Sequence, residues 1–122
     1  AFAATIYKSP TCGCCHVYAK YLEKENIAVD SIDVPDMTGV KIEHGVPADL
    51  QSCHTSIVGD YVVEGHIPLD VIEKLLEEKP DIKGIALPGM PSGSPGMPGP
   101  KVGLWTIYAM AHDGAVSEYM MY

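Results

Sequence analysis

The sequence predicts an α/β fold in which helices pack against a mixed β-sheet. Apolar strand-like runs alternate with segments whose apolar residues repeat at helical spacing over the first two thirds of the chain. Two further pairs of strand-like runs are separated by short glycine-containing turns, which are typical of β-hairpins. At 122 residues the chain is long enough to bury a core without covalent crosslinks. We therefore expect a single domain over residues 1–122.

The first half of the chain predicts a β-α-β unit, a short helix and a turn. The apolar run before Ser9-Pro10 is typical of a buried strand, and Thr11 can cap the helix that follows. Tyr18, Tyr21 and Leu22 lie at helical spacing and are expected to face inward. The predicted elements are strand Ala3 to Tyr7, helix Cys12 to Glu25, strand Ile27 to Val34, helix Thr38 to His44 and turn Pro47 to Gln51.

The second half predicts two hairpins separated by a helix and a long loop. Pro68 suits the first position of a helix with one apolar stripe, which Lys79-Pro80 ends. Segment 88–100 holds five Pro, four Gly, two Ser and two Met, so it is expected to form neither helix nor strand. The predicted strands are Thr55 to Val58 with Tyr61 to Glu64, and Val102 to Ala109 with Ala115 to Tyr119; the helical stripe is Leu69, Ile72, Leu75 and Leu76.

Charge and hydropathy exclude several classes of partner. The formal net charge is -8, with 8 basic against 16 acidic residues, which opposes binding to nucleic acid or to an acidic membrane surface. No apolar run approaches the roughly 20 residues that span a bilayer. The chain begins with Ala-Phe-Ala-Ala rather than Met, which would suit the end of a cleaved export signal. We therefore expect neither a membrane span nor a nucleic-acid partner, and the compartment, periplasmic or otherwise exported, is inferred from the resemblance described below.

Three of the four cysteines lie in Cys12-Gly13-Cys14-Cys15-His16, directly after the first predicted strand. At a helix start, free backbone N–H groups and the helix dipole favour thiolates. Cys12 and Cys15 are three residues apart and can point to one side, whereas Cys14 is expected to point elsewhere around the turn. A dithiol oxidoreductase needs only Cys12 and Cys15, so it leaves Cys14 unexplained. A third thiolate is what a soft-metal site requires.

A strand, a Cys-x-x-Cys motif that opens a helix, and a later hairpin followed by a helix resemble the thioredoxin-like folds. From about residue 5 to its end, the chain more specifically resembles the CopG-type copper-resistance family. That resemblance implies a thioredoxin-like mixed sheet flanked by helices, an exported bacterial-type protein, and copper bound through cysteines. It is carried by Ser9-Pro10-Thr11-Cys12-Gly13-Cys14-Cys15, Gly45-Val46-Pro47, Ser52-Cys53-His54-Thr55, Glu64-Gly65-His66-Ile67-Pro68 and the segment from Pro88 to Met97.

The chain departs from the family pattern on the first helix. Tyr18 and Tyr21 stand where family members carry Trp and then His. A metal role for a histidine at the second of these positions is therefore absent from this protein.

The thioredoxin-like resemblance also implies a partner for the cysteine cluster. Cys53-His54 occupies the place where thioredoxins carry a cis-proline that faces the Cys-x-x-Cys pair and crowds metals out. His66 belongs to a loop that adjoins the same pocket in glutaredoxins. Four thiolates with nearby imidazoles suit Cu(I), and bridging sulfur could hold several ions. The expected metal ligands are Cys12, Cys14, Cys15, Cys53, His54 and His66.

Three functions stay open from the sequence. The first is a copper-binding protein of copper resistance or homeostasis that holds Cu(I), cycles it with Cu(II), and works with other copper-handling proteins or an electron donor. The second is a thiol-disulfide oxidoreductase in which Cys12 attacks and Cys15 resolves. The third is a zinc or iron-sulfur protein, which the crowding of the first three cysteines disfavours. Cys14 and the Cys53-His54 pair favour the first function.

Several side chains near these motifs have two interpretations. His66 is expected to be either a metal ligand or a residue that caps the following helix. Met90 and Met97 could be thioether ligands, but we favour a loop that covers the site and uses them to fill gaps. His16 is expected either to be solvated or to contact the metal ligands, whereas His44 and His112 are expected at the surface.

Overall fold

The structure, a computed structural model, describes residues 3–89 and 91–122. In this part of the chain, seven strands form one sheet in the order β2-β1-β3-β4-β5-β6-β7. The elements are β1 (Ala3–Lys8), α1 (Gly13–Lys24), β2 (Ala28–Asp33), α2 (Met37–Glu43), a 3₁₀ turn (Ala48–Leu50), β3 (Thr55–Val58), β4 (Tyr61–Glu64), α3 (Leu69–Glu78), β5 (Gly84–Ala86), β6 (Thr106–Met110) and β7 (Val116–Met121). The predicted α/β fold, with helices around a mixed sheet and a C-terminal hairpin, is confirmed.

The sheet combines parallel and antiparallel strand pairs. β1 is parallel to β2, and β4 is parallel to β5, because each pair is connected through a helix. The β3–β4 pair is a hairpin in which Thr55 lies opposite Glu64. Both residues are adjacent in sequence to segments that carry predicted ligands, so this register brings those segments together at one end of the hairpin.

Apolar side chains cover both faces of the sheet. The larger cluster joins α1 and α3 to the sheet and includes Tyr18, Leu22 and Ile72, none of which is exposed. Tyr21 is only partly buried against this cluster. Val62 and Val63 are neighbours on β4, yet Val62 belongs to a second, smaller cluster. Because successive strand residues point to opposite faces, the sheet is packed on both sides and gives the site a rigid base.

Four local predictions are wrong. Pro68 takes the cap position of α3 rather than its first helical position, because the helix begins at Leu69. Thr11 does not cap α1, because the helix begins one residue later with Cys12 at the cap position. Strand β5, Gly84–Ala86, was not predicted. All three of its residues are buried, so they show no alternation of apolar and polar side chains. The predicted strand from Val102 begins only at Thr106, and Val102 itself is exposed.

The Pro/Gly-rich segment forms a loop held by its own hydrogen bonds, and its described part contains no helix or strand, as predicted. The Ser92 hydroxyl donates to the Pro100 carbonyl at 2.5 Å, and the Ser94 hydroxyl donates to the Pro91 carbonyl at 2.6 Å. Met97 N–H donates to the Ser94 carbonyl at 2.8 Å. Met90 lies outside the described residues.

Candidate metal centre

The four cysteine sulfur atoms form one cluster at the start of α1. Cys12, Cys14 and Cys15 come from the cap and first turn of this helix, and Cys53 comes from the segment before β3. Cys14 Sγ lies 3.4 Å from Cys12 Sγ and 3.7 Å from Cys53 Sγ. All four sulfur atoms lie within 4.8 Å of one another. The expectation that Cys14 points away is therefore wrong, because its sulfur links the helix cysteines to Cys53.

Two of these cysteines are oxidised in the structure. Cys12 and Cys15 form a disulfide with a Cα–Cα distance of 5.4 Å, while Cys14 and Cys53 are thiols. A metal ion binds thiolates, so the oxidised cluster offers two such donors. Reduction of the disulfide would raise the number to four.

Two buried histidines extend the cluster on the side of Cys53. Cys53 Sγ lies 3.3 Å from His54 Nδ1 and 2.9 Å from His66 Nε2. Neither histidine is exposed, and their ring centroids lie 4.9 Å apart. Cys53 thus belongs both to the four-sulfur group and to a group of one sulfur and two imidazoles. The structure brings together all six side chains that the sequence predicts as ligands.

The loop fixes the tautomer of His66. His66 Nδ1 lies 2.5 Å from the Pro95 carbonyl oxygen, and a carbonyl can only accept, so Nδ1 carries the proton. Nε2 is therefore the atom with the lone pair, and it faces Cys53. Metal-binding histidines commonly show this arrangement, in which the second ring nitrogen donates to a carbonyl. The alternative of helix capping is wrong, because α3 has no side-chain cap and both His66 nitrogens are engaged elsewhere.

Burial keeps both imidazoles neutral. It is the largest cause that lowers the pKa of His54 to about 3, and nearby His66 and Lys41 add to the effect. Burial also lowers the pKa of His66, although the hydrogen bond that Nδ1 donates to the Pro95 carbonyl acts in the opposite direction. Among the described residues, His54 Nε2 is a buried nitrogen without a hydrogen-bond partner. A neutral imidazole is the form that coordinates a metal.

The surroundings of Cys53 favour the protonated thiol. Burial, followed by the neighbouring Cys14, raises the pKa of Cys53 to about 12. The thiol can therefore donate to the lone pair of His66. A soft cation would replace that proton, because its charge stabilises the thiolate.

The two tyrosines of α1 support the site without providing ligands. Tyr18 packs its ring 4.7 Å from that of His54, measured between centroids, and its hydroxyl donates to the Ile67 carbonyl at 2.7 Å. The Tyr21 hydroxyl accepts from Leu69 N–H at 3.0 Å, at the start of α3. These contacts connect α1 to α3 beside the histidines.

The loop also packs against the first turn of α1, which carries the sulfur cluster. Gly96 has a positive φ of 89°, and an added Cβ would lie 2.9 Å from the Cys14 carbonyl oxygen and 3.1 Å from His66 Nδ1. This approach requires glycine. Pro95 and Gly96 were not recognised as functional from the sequence, where the repeated Pro-Gly-Met-Pro was the available signal.

The remaining histidines lie outside both groups. His16 is exposed, His44 is half-buried with its ring 5.7 Å from that of Tyr7, and His112 pairs with Asp81 at 3.2 Å. His44 is therefore less exposed than the sequence predicts.

The donor set fits a soft metal. Four sulfur and two imidazole donors, with no carboxylate in either group, are typical of Cu(I) sites. The Cys12–Cys14 and Cys14–Cys53 sulfur separations are close to the roughly 3.8 Å edge of a tetrahedral zinc–thiolate site. These two distances do not by themselves disfavour zinc, and the argument for copper rests on donor type.

Comparisons with known proteins give a family match and matches to solved structures. Residues 50–97 match a family described as a protein of unknown function, DUF411. None of the curated proteins compared with the chain matches it.

Two solved structures match over almost the whole chain. Copper resistance protein CopG in its form 2 is 37% identical, with a TM-score of 0.91, and the alignment covers 99% of this chain and 98% of that one. Form 1 of the same protein is also 37% identical, with a TM-score of 0.89, and the alignment covers 98% and 96%. These matches confirm the family resemblance noted from the five motifs and indicate a copper-related role. The chain belongs to the CopG copper resistance protein family.

Proposed function

We propose that this protein binds Cu(I) and serves copper resistance in an exported compartment. Its ligands are the four cysteines and two buried histidines defined above. The position of Cys53 Sγ carries the proposal, because this atom lies within contact distance of Cys14 on one side and of both imidazoles on the other. A single sulfur in that position can bridge ions held by the two groups. The site accordingly suits a cluster of several thiolate-bridged copper ions.

The Cys12–Cys15 disulfide supports a redox role for the same site. Oxidation of the two thiols to one disulfide releases two electrons, which would reduce two Cu(II) ions to Cu(I). The two protons released with them would pass to solvent. Conversely, reduction of the disulfide by an external thiol or protein donor supplies two more ligands. The proposed function therefore includes cycling between Cu(I) and Cu(II), with an electron-donor protein or another copper-handling protein as partner.

An anaerobic titration of the fully reduced protein with Cu(I), in competition with a chromophoric chelator, tests this proposal. We expect the wild type to take copper from the chelator and the Cys53→Ser variant to lose most of that capacity. His112→Ala is the matched control, because its side chain lies outside both ligand groups. The copper proposal is refuted if wild type and Cys53→Ser bind copper equally, or if neither binds it.

The disulfide also favours a second candidate, a thiol-disulfide oxidoreductase. Cys12 and Cys15 occupy the start of α1, where a dithiol pair of this type is expected to act. Reduction of insulin by dithiothreitol would measure such an activity. Robust turnover that survives Cys14→Ser would favour this candidate over copper binding, because Cys14 has no role in dithiol exchange.

The same preparations test the metal alternatives. Metal analysis after anaerobic purification distinguishes zinc from copper, and a brown chromophore would indicate an iron-sulfur cluster. The proposed exported location agrees with the use of thiols that cycle to a disulfide. Within the described residues, no helix is long and apolar enough to cross a bilayer.

A further inference from the structure

A buried ion pair lies directly behind the candidate metal centre. Lys41 of α2 and Glu64 of β4 form a salt bridge, with side-chain exposures of 6% and 0%. Glu64 Oε2 also accepts from Ser52 N–H at 2.8 Å, and Glu64 Oε1 accepts from the Thr55 hydroxyl at 2.6 Å. Lys41 Nζ donates to Thr55 Oγ1 at 3.2 Å. The carboxylate thus receives three donors, and we call these four residues the Lys41–Glu64 network.

Each ligand on the Cys53 side is next to a member of this network. Ser52 immediately precedes Cys53, and Thr55 immediately follows His54. His66 comes two residues after Glu64, and Gly65 N–H between them donates to the His54 carbonyl at 3.1 Å. The network therefore ties the backbone of both ligand-bearing segments to one carboxylate.

Stability alone does not account for a buried pair in this place. The cost of desolvating two charges often equals or exceeds their attraction, and apolar residues of similar volume often replace such pairs without loss. An apolar side chain at position 64, however, could not accept from Ser52 N–H. What the carboxylate specifically supplies is a fixed peptide plane next to Cys53.

We propose that Lys41 and Glu64 are positioning residues that hold Cys53, His54 and His66 in place for the metal. This inference rests on the proposed function for its copper readout. Glu64 fixes the Gln51–Ser52 peptide, one residue before Cys53, and binds the Thr55 side chain, one residue after His54. Lys41 neutralises the buried carboxylate and orients it, so that both carboxylate oxygens face their donors.

Two double variants separate the hydrogen bond from the charge. In Lys41→Met/Glu64→Gln, the amide oxygen can still accept from Ser52 N–H and the amide nitrogen can donate to Thr55. In Lys41→Met/Glu64→Leu, neither bond can form. Loss of supporting contacts behind metal ligands typically lowers affinity about 10- to 100-fold, and we expect this loss of Cu(I) affinity in the Leu variant only. The Gln variant should stay within about threefold of wild type.

Leu75→Ala is the control for general destabilisation. Leu75 is fully buried in α3, away from both ligand groups, so its variant should lose stability while its Cu(I) affinity stays within about twofold of wild type. If the Leu double variant does not fold, Thr55→Val removes one bond to Glu64 in a strand position that favours valine. We expect that variant to lose Cu(I) affinity about three- to tenfold.

A second readout does not depend on copper. In the oxidised, metal-free protein, iodoacetamide can label only Cys14 and Cys53, and peptide mass spectrometry gives the ratio of their labelling rates. Displacement of Cys53 from His66 changes both its exposure and its imidazole contact, so the Cys53 to Cys14 ratio should change about fivefold in the Leu double variant or Thr55→Val. Unchanged ratio and unchanged Cu(I) affinity in these variants would overturn the inference. If wild type bound no Cu(I), the proposed function would fail, and the labelling ratio would still decide the positioning role.

Discussion

The cover that the Pro/Gly-rich loop forms over the site depends on Gly96. In Gly96→Ala, the new methyl group would lie 2.9 Å from the Cys14 carbonyl oxygen and 3.1 Å from His66 Nδ1. Both distances are shorter than van der Waals contact, so the loop must move away from α1. The Pro95 carbonyl moves with it and releases His66 Nδ1.

Gly96→Ala is expected to affect both folding and copper binding. A non-glycine residue at positive φ costs about 1–2 kcal/mol, which sets the expected loss of stability. Loss of the carbonyl that orients a metal-binding histidine costs about 10- to 100-fold in metal affinity. We therefore expect Gly96→Ala to weaken Cu(I) binding by that factor, measured by anaerobic chelator competition. Nitrogen NMR of the metal-free protein should also show that His66 no longer holds its proton only at Nδ1.

Gly99→Ala is the matched control. Gly99 lies in the same loop with a positive φ of 90°, so alanine is strained there to a similar degree. An added Cβ at this position would meet only Ser92, at 3.6 Å. We expect the control to lose stability without losing copper affinity. Equal Cu(I) affinities in the Gly96 and Gly99 variants would refute the role of the loop as a cover.

Three further predictions address the cluster and its support. Cys14→Ser should lower the number of Cu(I) ions bound by the reduced protein, as counted by metal analysis, because Cys14 links the other sulfurs; an unchanged number would contradict its place in the site. Tyr18→Phe should lower the free energy of unfolding in urea by about 1–3 kcal/mol, because the Ile67 carbonyl loses its donor. A large loss of Cu(I) affinity in this variant would instead show that the hydroxyl acts on the metal. Leu75→Ala should cost about 2–5 kcal/mol in the same assay, and a smaller loss would mean that α3 does not pack as described.

The sequence predicted those parts of the fold that have a clear local pattern. The β3–β4 hairpin agrees with its predicted bounds, because Gly59-Asp60 separates two short apolar runs. Strand β5 was missed because its three residues form a strand only through their pairing with β4 and β6, which are distant in the sequence. The six candidate ligands were predicted from the cysteine spacing and the family resemblance. The direction of the Cys14 side chain could not be predicted, because it depends on how Cys53 packs against α1.

The residues that support the candidate site could not be predicted from the sequence, for a different reason. Lys41 and Glu64 are charged residues of the kind that usually lie on a solvated surface. Only the strand register and the position of α2 bring them together under the ligand segments. Pro95 acts through its backbone carbonyl, which no side-chain pattern reveals.

X-ray absorption at the copper edge of the reduced, Cu(I)-loaded protein tests the central claim most directly. The proposed site predicts a first shell dominated by sulfur with a nitrogen contribution, and scattering from a second copper atom. The nitrogen contribution should fall in His66→Ala, while the sulfur shell persists. A first shell of nitrogen and oxygen without sulfur would contradict a copper site built on the cysteine cluster.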